Sequence, residues 1–381
     1  MRKFLDFFSH LKNVVSFNQL DRSDRSLTIY SEGKNYWSYL GGLVDQILKH
    51  SDLTICYVTS SRDDPGLAID NPRLKSFIIG EGFVRDWMFA NMQTDVMVMT
   101  MPDLHQYQVK KSSFPVHYVY VQHSLVSFHM VYRPGAFDHY NTIFCAGPHH
   151  LKEMRAIEQT YELPEKRLFE HGYARLDSIR DEAKAKRSQI ADKKTHYLMA
   201  PSWGPKGTIE TGIGAKIADL LIANNARLTL RPHPQTIKFA EDKVMAIVNA
   251  YKDHPDFHYE NNVQGQDSLH ASDVMICDWS GAALDYAFGL GKPVLFIDVD
   301  RKINNPDYER VPITPFEVTI REQIGKVISP DALNDLLDFD AKPLPDGLVE
   351  DHVFNVGNSD RIGAMEIIRI VENLTAQKEL S

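Results

Sequence analysis

The stretch Ser272 to Gly281, SDVMICDWSG, with the Ala282-Ala283-Leu284-Asp285-Tyr286 that follows it, decides how this chain reads. Val274, Met275, Ile276 and Cys277 form a short apolar run suited to a strand buried on both faces, and Ala282 onward reads as a helix. The turn between them then holds Asp278, Ser280 and Gly281. A Ser and a Gly at such a turn leave the first N–H groups of the helix unobstructed, and those groups, with the helix dipole, attract an anion such as a phosphate. The plainer reading of the same turn makes Ser280 an N-cap and Asp278 a turn residue.

Upstream, Leu228-Thr229-Leu230-Arg231-Pro232-His233-Pro234 is a strand running into a turn whose prolines stop it. Arg231 and His233 are thereby delivered at a strand end. Two strand ends, one offering a guanidinium and an imidazole and the other N–H donors, are what a sheet needs to hold a diphosphate at its carboxyl edge.

A chain of 381 residues with 43% hydrophobic content exceeds one ordinary core and suits two. Outward from the deciding stretch, apolar runs recur at Tyr197 to Ala200, Leu228 to Leu230, Phe257 to Tyr259 and Val294 to Ile297. An earlier series comprises Leu27 to Tyr30, Leu53 to Val58, Phe77 to Ile79, Val96 to Met99, Val116 to Val121 and Thr142 to Cys145, with helix-like stretches between them, among them Tyr36 to Leu48. Repeated strand-then-helix segments imply parallel sheets covered on both faces. The expected architecture is α/β: two Rossmann-like, doubly wound domains facing a central cleft. A charged tract from Ser178 to Lys194 sets the boundary, giving an N-terminal domain over 1–194, a C-terminal domain over 195–345 and a helical segment over 346–381. That last segment, with Ile362, Met365, Ile367, Ile368, Ile370 and Val371 near one side, is expected to pack back on the N-terminal domain.

The net charge of −9 argues against a general nucleic-acid binder, which needs a basic face. Cys56, Cys145 and Cys277 sit in or beside apolar runs without paired spacing and read as buried, reduced thiols of a cytoplasmic protein. No run reaches the roughly 18 apolar residues of a membrane span, and the amino terminus lacks a signal peptide's apolar region. Phe4, Phe7, Phe8, Leu11, Val14 and Val15 recur at helical spacing near Arg2, Lys3 and Lys12. Such a stripe serves either as packing for its own domain or as a contact with the inner face of the cytoplasmic membrane.

In the first half, Val116 to Val121 leads into Gln122-His123-Ser124, so His123 stands where a strand has just ended, on the edge that faces the ligand crevice. An imidazole there can take the proton of an attacking alcohol, which makes His123 the candidate general base among 16 histidines. Asp298-Val299-Asp300 has the D-x-D form that carries a metal in some transferases. It ends a strand of the second half, and no metal is expected on it. HExxH, CxxC, GxSxG and GxxxxGKS are absent.

Six segments occur in a telling order: QHS at 122–124, GYARLD at 172–177, APSW at 200–203, RPHP at 231–234, SDVMICDWSGAALDYA at 272–287 and KPVLFIDVD at 292–300. Together, over about residues 115 to 365, they resemble the CDP-glycerol:poly(glycerophosphate) glycerophosphotransferase family, which includes enzymes of teichoic acid and capsule polymer synthesis. The resemblance implies a GT-B fold and transfer of glycerol phosphate, or a similar polyol phosphate, from a CDP-activated donor. The acceptor it implies is a hydroxyl of a lipid-linked or polysaccharide chain, with CMP released and neither cofactor nor metal required. It puts the family's two essential histidines on His123 and His233, and the donor phosphates and nucleotide near Arg231, Asp278, Ser280, Gly281, Ser202, Arg175 and Arg361. The sequence departs from the family pattern in places: W-H-G is here Gln122-His123-Ser124, Ala174 replaces a proline, and T-D-Y-S-S reads Cys277-Asp278-Trp279-Ser280-Gly281. A GT-B enzyme for a nucleotide-diphosphate sugar, such as a glycosyltransferase or epimerase, would fit the same cleft, as would a non-catalytic nucleotide-binding scaffold.

Overall fold

The structure, a computed structural model, describes residues 2–185, 194–261 and 265–380. The boundary expected near residue 194 adjoins residues 186–193, which lie outside that set. Seven strands form the first sheet: β1 (Leu27–Ser31), β2 (Ile55–Thr59), β3 (Leu74–Ile78), β4 (Val96–Met99), β5 (His117–Val121), β6 (Thr142–Cys145) and β7 (Arg167–Glu170). Six form the second: β8 (His196–Met199), β9 (Arg227–Leu230), β10 (Phe257–Tyr259), β11 (Val274–Cys277), β12 (Val294–Ile297) and β13 (Gly325–Ile328). Every pairing is parallel, in the orders β3-β2-β1-β4-β5-β6-β7 and β10-β9-β8-β11-β12-β13.

The apolar runs become strands because both of their faces find a core. Along β11, Val274 and Ile276 pack into one cluster and Met275 and Cys277 into another, the period of two that a pleated strand imposes. In the first sheet, Val119 and Val121 of β5 face one side and Tyr118 and Tyr120 the other. The direction of chain progression reverses between β1 and β4 in one sheet and between β8 and β11 in the other. Ligands of doubly wound sheets sit beyond the strand ends at these reversals.

The helix Ser359–Glu379 returns to the first sheet, where Ala364, Ile367, Ile368, Ile370 and Val371 are buried with Leu40, Leu43, Val44 and Ile47 of the helix Trp37–His50. Asp177 holds its start, accepting hydrogen bonds from the N–H groups of Gly357 (2.6 Å) and Ser359 (3.1 Å). Gly42 has no side chain because the Asp360 carboxylate lies where one would begin.

The halves are joined beside the cleft. Ser127 donates its N–H (2.9 Å) and hydroxyl (2.8 Å) to Glu317, and Asn304 and Asn305 donate backbone N–H groups to the Met130 carbonyl (3.0 and 3.3 Å). Both Ser127 and Glu317 are buried, so these are joints inside a packed interface.

The amino-terminal helix Arg2–Asn18 divides the two roles considered for it. Val14 and Phe17 are buried, whereas Phe7, Phe8, Leu11 and Val15 are exposed, as are Phe83 and Trp87 on the adjoining helix Phe83–Asn91. The side chain of Phe4 lies outside those described. Among the described residues no helix is long and apolar enough to cross a membrane.

Candidate functional site

A cavity of about 1180 Å³ lies between the sheets, lined by loops that follow strand ends from both: Lys34, His123, Ser124 and Arg175 on one side, and Ser202, His233, Ser280, Gly281 and Lys302 on the other. The carboxyl edges of the two sheets therefore face each other. His123 and His233 share this one space.

On the C-terminal side, Asp278 ties the reversal point together. One carboxylate oxygen accepts from the N–H groups of Ser202 (2.7 Å) and Trp279 (2.6 Å), and the other from the N–H (3.2 Å) and hydroxyl (2.8 Å) of Thr208. Asp278 is only 1% exposed and does not line the cavity, so it shapes the loops after β8 and β11 and contributes no surface to a ligand. An anion would also repel a second carboxylate. Arg231 too stands behind the wall: it is buried, gives Nη1 to Ser268 Oγ (2.9 Å) and lies 3.8 Å from Glu260. Burial lowers its pKa, with Glu260 opposing.

The helix Ala282–Leu290 opens into the cavity, with a difference from the sequence expectation. Ser280 Oγ accepts from Ala282 N–H (3.3 Å) and the Ser280 carbonyl from Ala283 N–H (3.1 Å), so the first N–H groups of the helix are spent within the turn. Ser280 and Gly281 themselves line the cavity.

His233 caps the short helix Pro234–Phe239: its Nδ1 accepts from Gln235 N–H at 3.0 Å. That bond fixes the neutral tautomer, leaving the proton on Nε2, so the ring is a donor. Burial, and then Lys302, push it down to about 4. The ring lies alongside Trp203, centroids 6.1 Å apart, and the Lys302 ammonium is 5.0 Å from that Trp203 ring centroid. Among the described residues Lys302 has no carboxylate within ion-pairing distance, and burial lowers its pKa against the pull of Asp278 and Glu210. The sequence reading missed Lys302, although its place just after the strand-ending Asp298-Val299-Asp300 was a usable cue.

On the N-terminal side, the rings of Tyr36, Tyr39, Tyr120 and Tyr132 surround His123 at centroid distances of 6.2, 6.2, 6.1 and 5.9 Å. Tyr120 Oη is 2.9 Å from Nδ1, and the Tyr173 hydroxyl donates to the His123 carbonyl (3.2 Å). Burial takes the imidazole down to about 4, the Thr100 carbonyl working against it. Between the halves, Arg175 Nε donates to Asp285 (2.7 Å). Burial opposes its charge most, but Asp285, Tyr39 and Tyr173 together outweigh burial and the guanidinium's pKa is raised.

The structure thus brings His123, Arg175, Ser202, His233, Ser280 and Gly281 to one cavity, with Arg231 and Asp278 behind it. Arg361 does not line that cavity but an adjoining pocket of about 380 Å³, which shares Asp177 and Asp360 with it and also holds Lys49. The D-x-D carboxylates are taken by cations, Asp298 by Arg321 (3.2 Å) and Asp300 by Lys206.

Residues 137–323 match the family model described as CDP-glycerol:poly(glycerophosphate) glycerophosphotransferase. No curated protein matches the chain. Among solved structures, the wall teichoic acid polymerase TagF, soaked with CDPG, is similar at 14% identity and a TM-score of 0.54, over 98% of both chains. The UDP-GlcNAc 2-epimerase of Methanocaldococcus jannaschii, in complex with UDP-GlcNAc and UDP, is similar at 13% identity and a TM-score of 0.58, over 91% of this chain and 99% of that one. The Neisseria meningitidis UDP-GlcNAc 2-epimerase bound to UDP-GlcNAc gives 11% identity and 0.57, over 90% and 99%. These likenesses show the fold, which is GT-B.

Proposed function

We propose that this chain, an enzyme whose residues 137–323 match the CDP-glycerol:poly(glycerophosphate) glycerophosphotransferase family model, moves glycerol phosphate, or a related polyol phosphate, from a CDP-activated donor to an acceptor hydroxyl. The observation that carries this reading is the pair of imidazoles, His123 and His233, facing one cavity from opposite halves beside the Lys302 ammonium.

The step is an in-line displacement at the β-phosphorus. The acceptor oxygen bonds to that phosphorus as the bridging oxygen leaves with CMP, taking the electron pair of the broken bond. In the tautomer that gives Nδ1–H to Tyr120 Oη, 2.9 Å away, His123 offers Nε2 to the acceptor's proton. The incoming diphosphate adds negative charge to the cleft and raises the basicity of that nitrogen. His233 Nε2–H, Lys302, Arg175 and the Ser280–Gly281 turn face the charge that moves from the transferred phosphoryl group to CMP. The acceptor is a lipid-linked or polymeric chain of a cell-envelope glycan. The exposed Phe7, Phe8, Leu11 and Val15, with Phe83 and Trp87, suit contact with a membrane surface where such an acceptor is anchored.

The test is a donor screen read as CMP release. CDP-glycerol or another CDP-polyol should yield CMP in the presence of a hydroxyl acceptor, and should do so in EDTA. Turnover of UDP-GlcNAc with no CMP from any CDP-polyol would remove the reading.

A further inference from the structure

The residue after Ser280 is a glycine for an unusual reason. Gly281 has φ −60°, open to any residue, so its backbone does not call for glycine. What it lacks is room: an added Cβ would lie 3.0 Å from Ser124 Oγ and 3.5 Å from Val126 Cγ1, both contributed by the opposite half. Ser124 Oγ therefore stands in tight contact with the place where a side chain on residue 281 would begin. It accepts only a long bond from Val126 N–H (3.4 Å), and its own proton has no acceptor among the described residues. Both residues line the cavity.

Resting on the reading of this turn as part of the donor-phosphate site, we propose that Ser124 is a donor-binding residue, its hydroxyl presented to the phosphate at the Ser280–Gly281 turn from across the cleft. This chain has a hydroxyl at Ser124 and none at residue 281, so that hydroxyl comes to the turn from the half that carries His123. A donor held this way touches the residue next to His123, so seating the phosphate also seats the loop bearing the imidazole.

The test is a four-member cycle of wild type, Ser124→Gly, Gly281→Ser and the double exchange. Calorimetry reads the Kd of each for CDP-glycerol and for inorganic pyrophosphate, and thermal unfolding confirms that each folds. Ser124→Gly should weaken binding about tenfold, as expected for loss of a hydrogen bond to a charged group. Gly281→Ser should weaken it by crowding Ser124, and the double exchange should return to within about threefold of wild type. Unchanged binding in Ser124→Gly, or a double exchange that loses the product of both single effects, overturns the proposal. A cycle that closes with pyrophosphate in a protein that ignores CDP-glycerol removes the donor reading and keeps this one. A wild type that binds neither removes both.

Discussion

The two lips of the cleft are made of different material. On the C-terminal lip, backbone N–H groups from the loops after β8 and β11 converge on the Asp278 carboxylate, giving a stiff polar rim with Lys302 and His233 set into it. On the N-terminal lip, His123 is surrounded by tyrosine rings, with the Tyr120 hydroxyl at its Nδ1. Hydrogen bonds to a buried carboxylate fix geometry, which a charged donor requires. Edge-on rings packed about it exclude water and keep an imidazole neutral, which a proton acceptor requires.

If that division holds, damage to each lip should fail in its own way. His123→Ala should lower kcat for CMP release by about 10² to 10⁴ with little change in donor Kd. A loss confined to KM would put His123 on the binding side and break the comparison. Asp278→Ala strands several buried N–H donors and should cost about 3 kcal/mol in chemical denaturation, with weakened donor binding. Unchanged stability would mean that the rim holds without its carboxylate. Lys302→Met should raise the KM for CDP-glycerol about tenfold and lower kcat as well, since its ammonium faces both the bound diphosphate and the charge that moves to CMP. Tyr120→Phe should lower kcat about fivefold, in keeping with one hydrogen bond of roughly 1 kcal/mol, and leave KM alone.

The smallest effect concerns pH. The imidazoles of His123, His150, His171 and His233 are held at about 4 by burial. Unfolded, they titrate near 6.5, so between pH 6.5 and 4 the unfolded chain binds more protons and stability is lost as pH falls through that window. Glu32 and Asp360, raised to about 7 by burial, act in reverse, since their native protons are lost on unfolding above the ordinary carboxyl range. Four imidazoles outweigh two carboxyls, so the Tm should decline by a few degrees on acidification from pH 6.5 to 4.5. A Tm that rises over this interval would contradict the assignment.

The same contrast explains what the sequence could convey. The C-terminal rim is local: β11, its turn and its helix are adjacent in the chain, and every buried central strand announced itself as an apolar run. β7 and β13 escaped notice because edge strands are half-exposed, and neither RLFE nor GKVI forms such a run. Motif adjacency also told nothing of direction. Arg231 and Asp278 lie close in the chain to the cavity-lining His233 and Trp279 yet turn inward to Ser268 and to Ser202 and Thr208, because both stand just past a strand end, where the turn redirects the side chains. The tyrosines about His123 come from positions 36, 39, 120 and 132, and no local pattern links them.

Because Ile367, Ile368, Ile370 and Val371 close the apolar face of the first sheet, that sheet cannot be sealed until the second sheet, which lies between them in the chain, has been translated. Ribosome-bound intermediates therefore carry an uncovered greasy flank while the second sheet is being made.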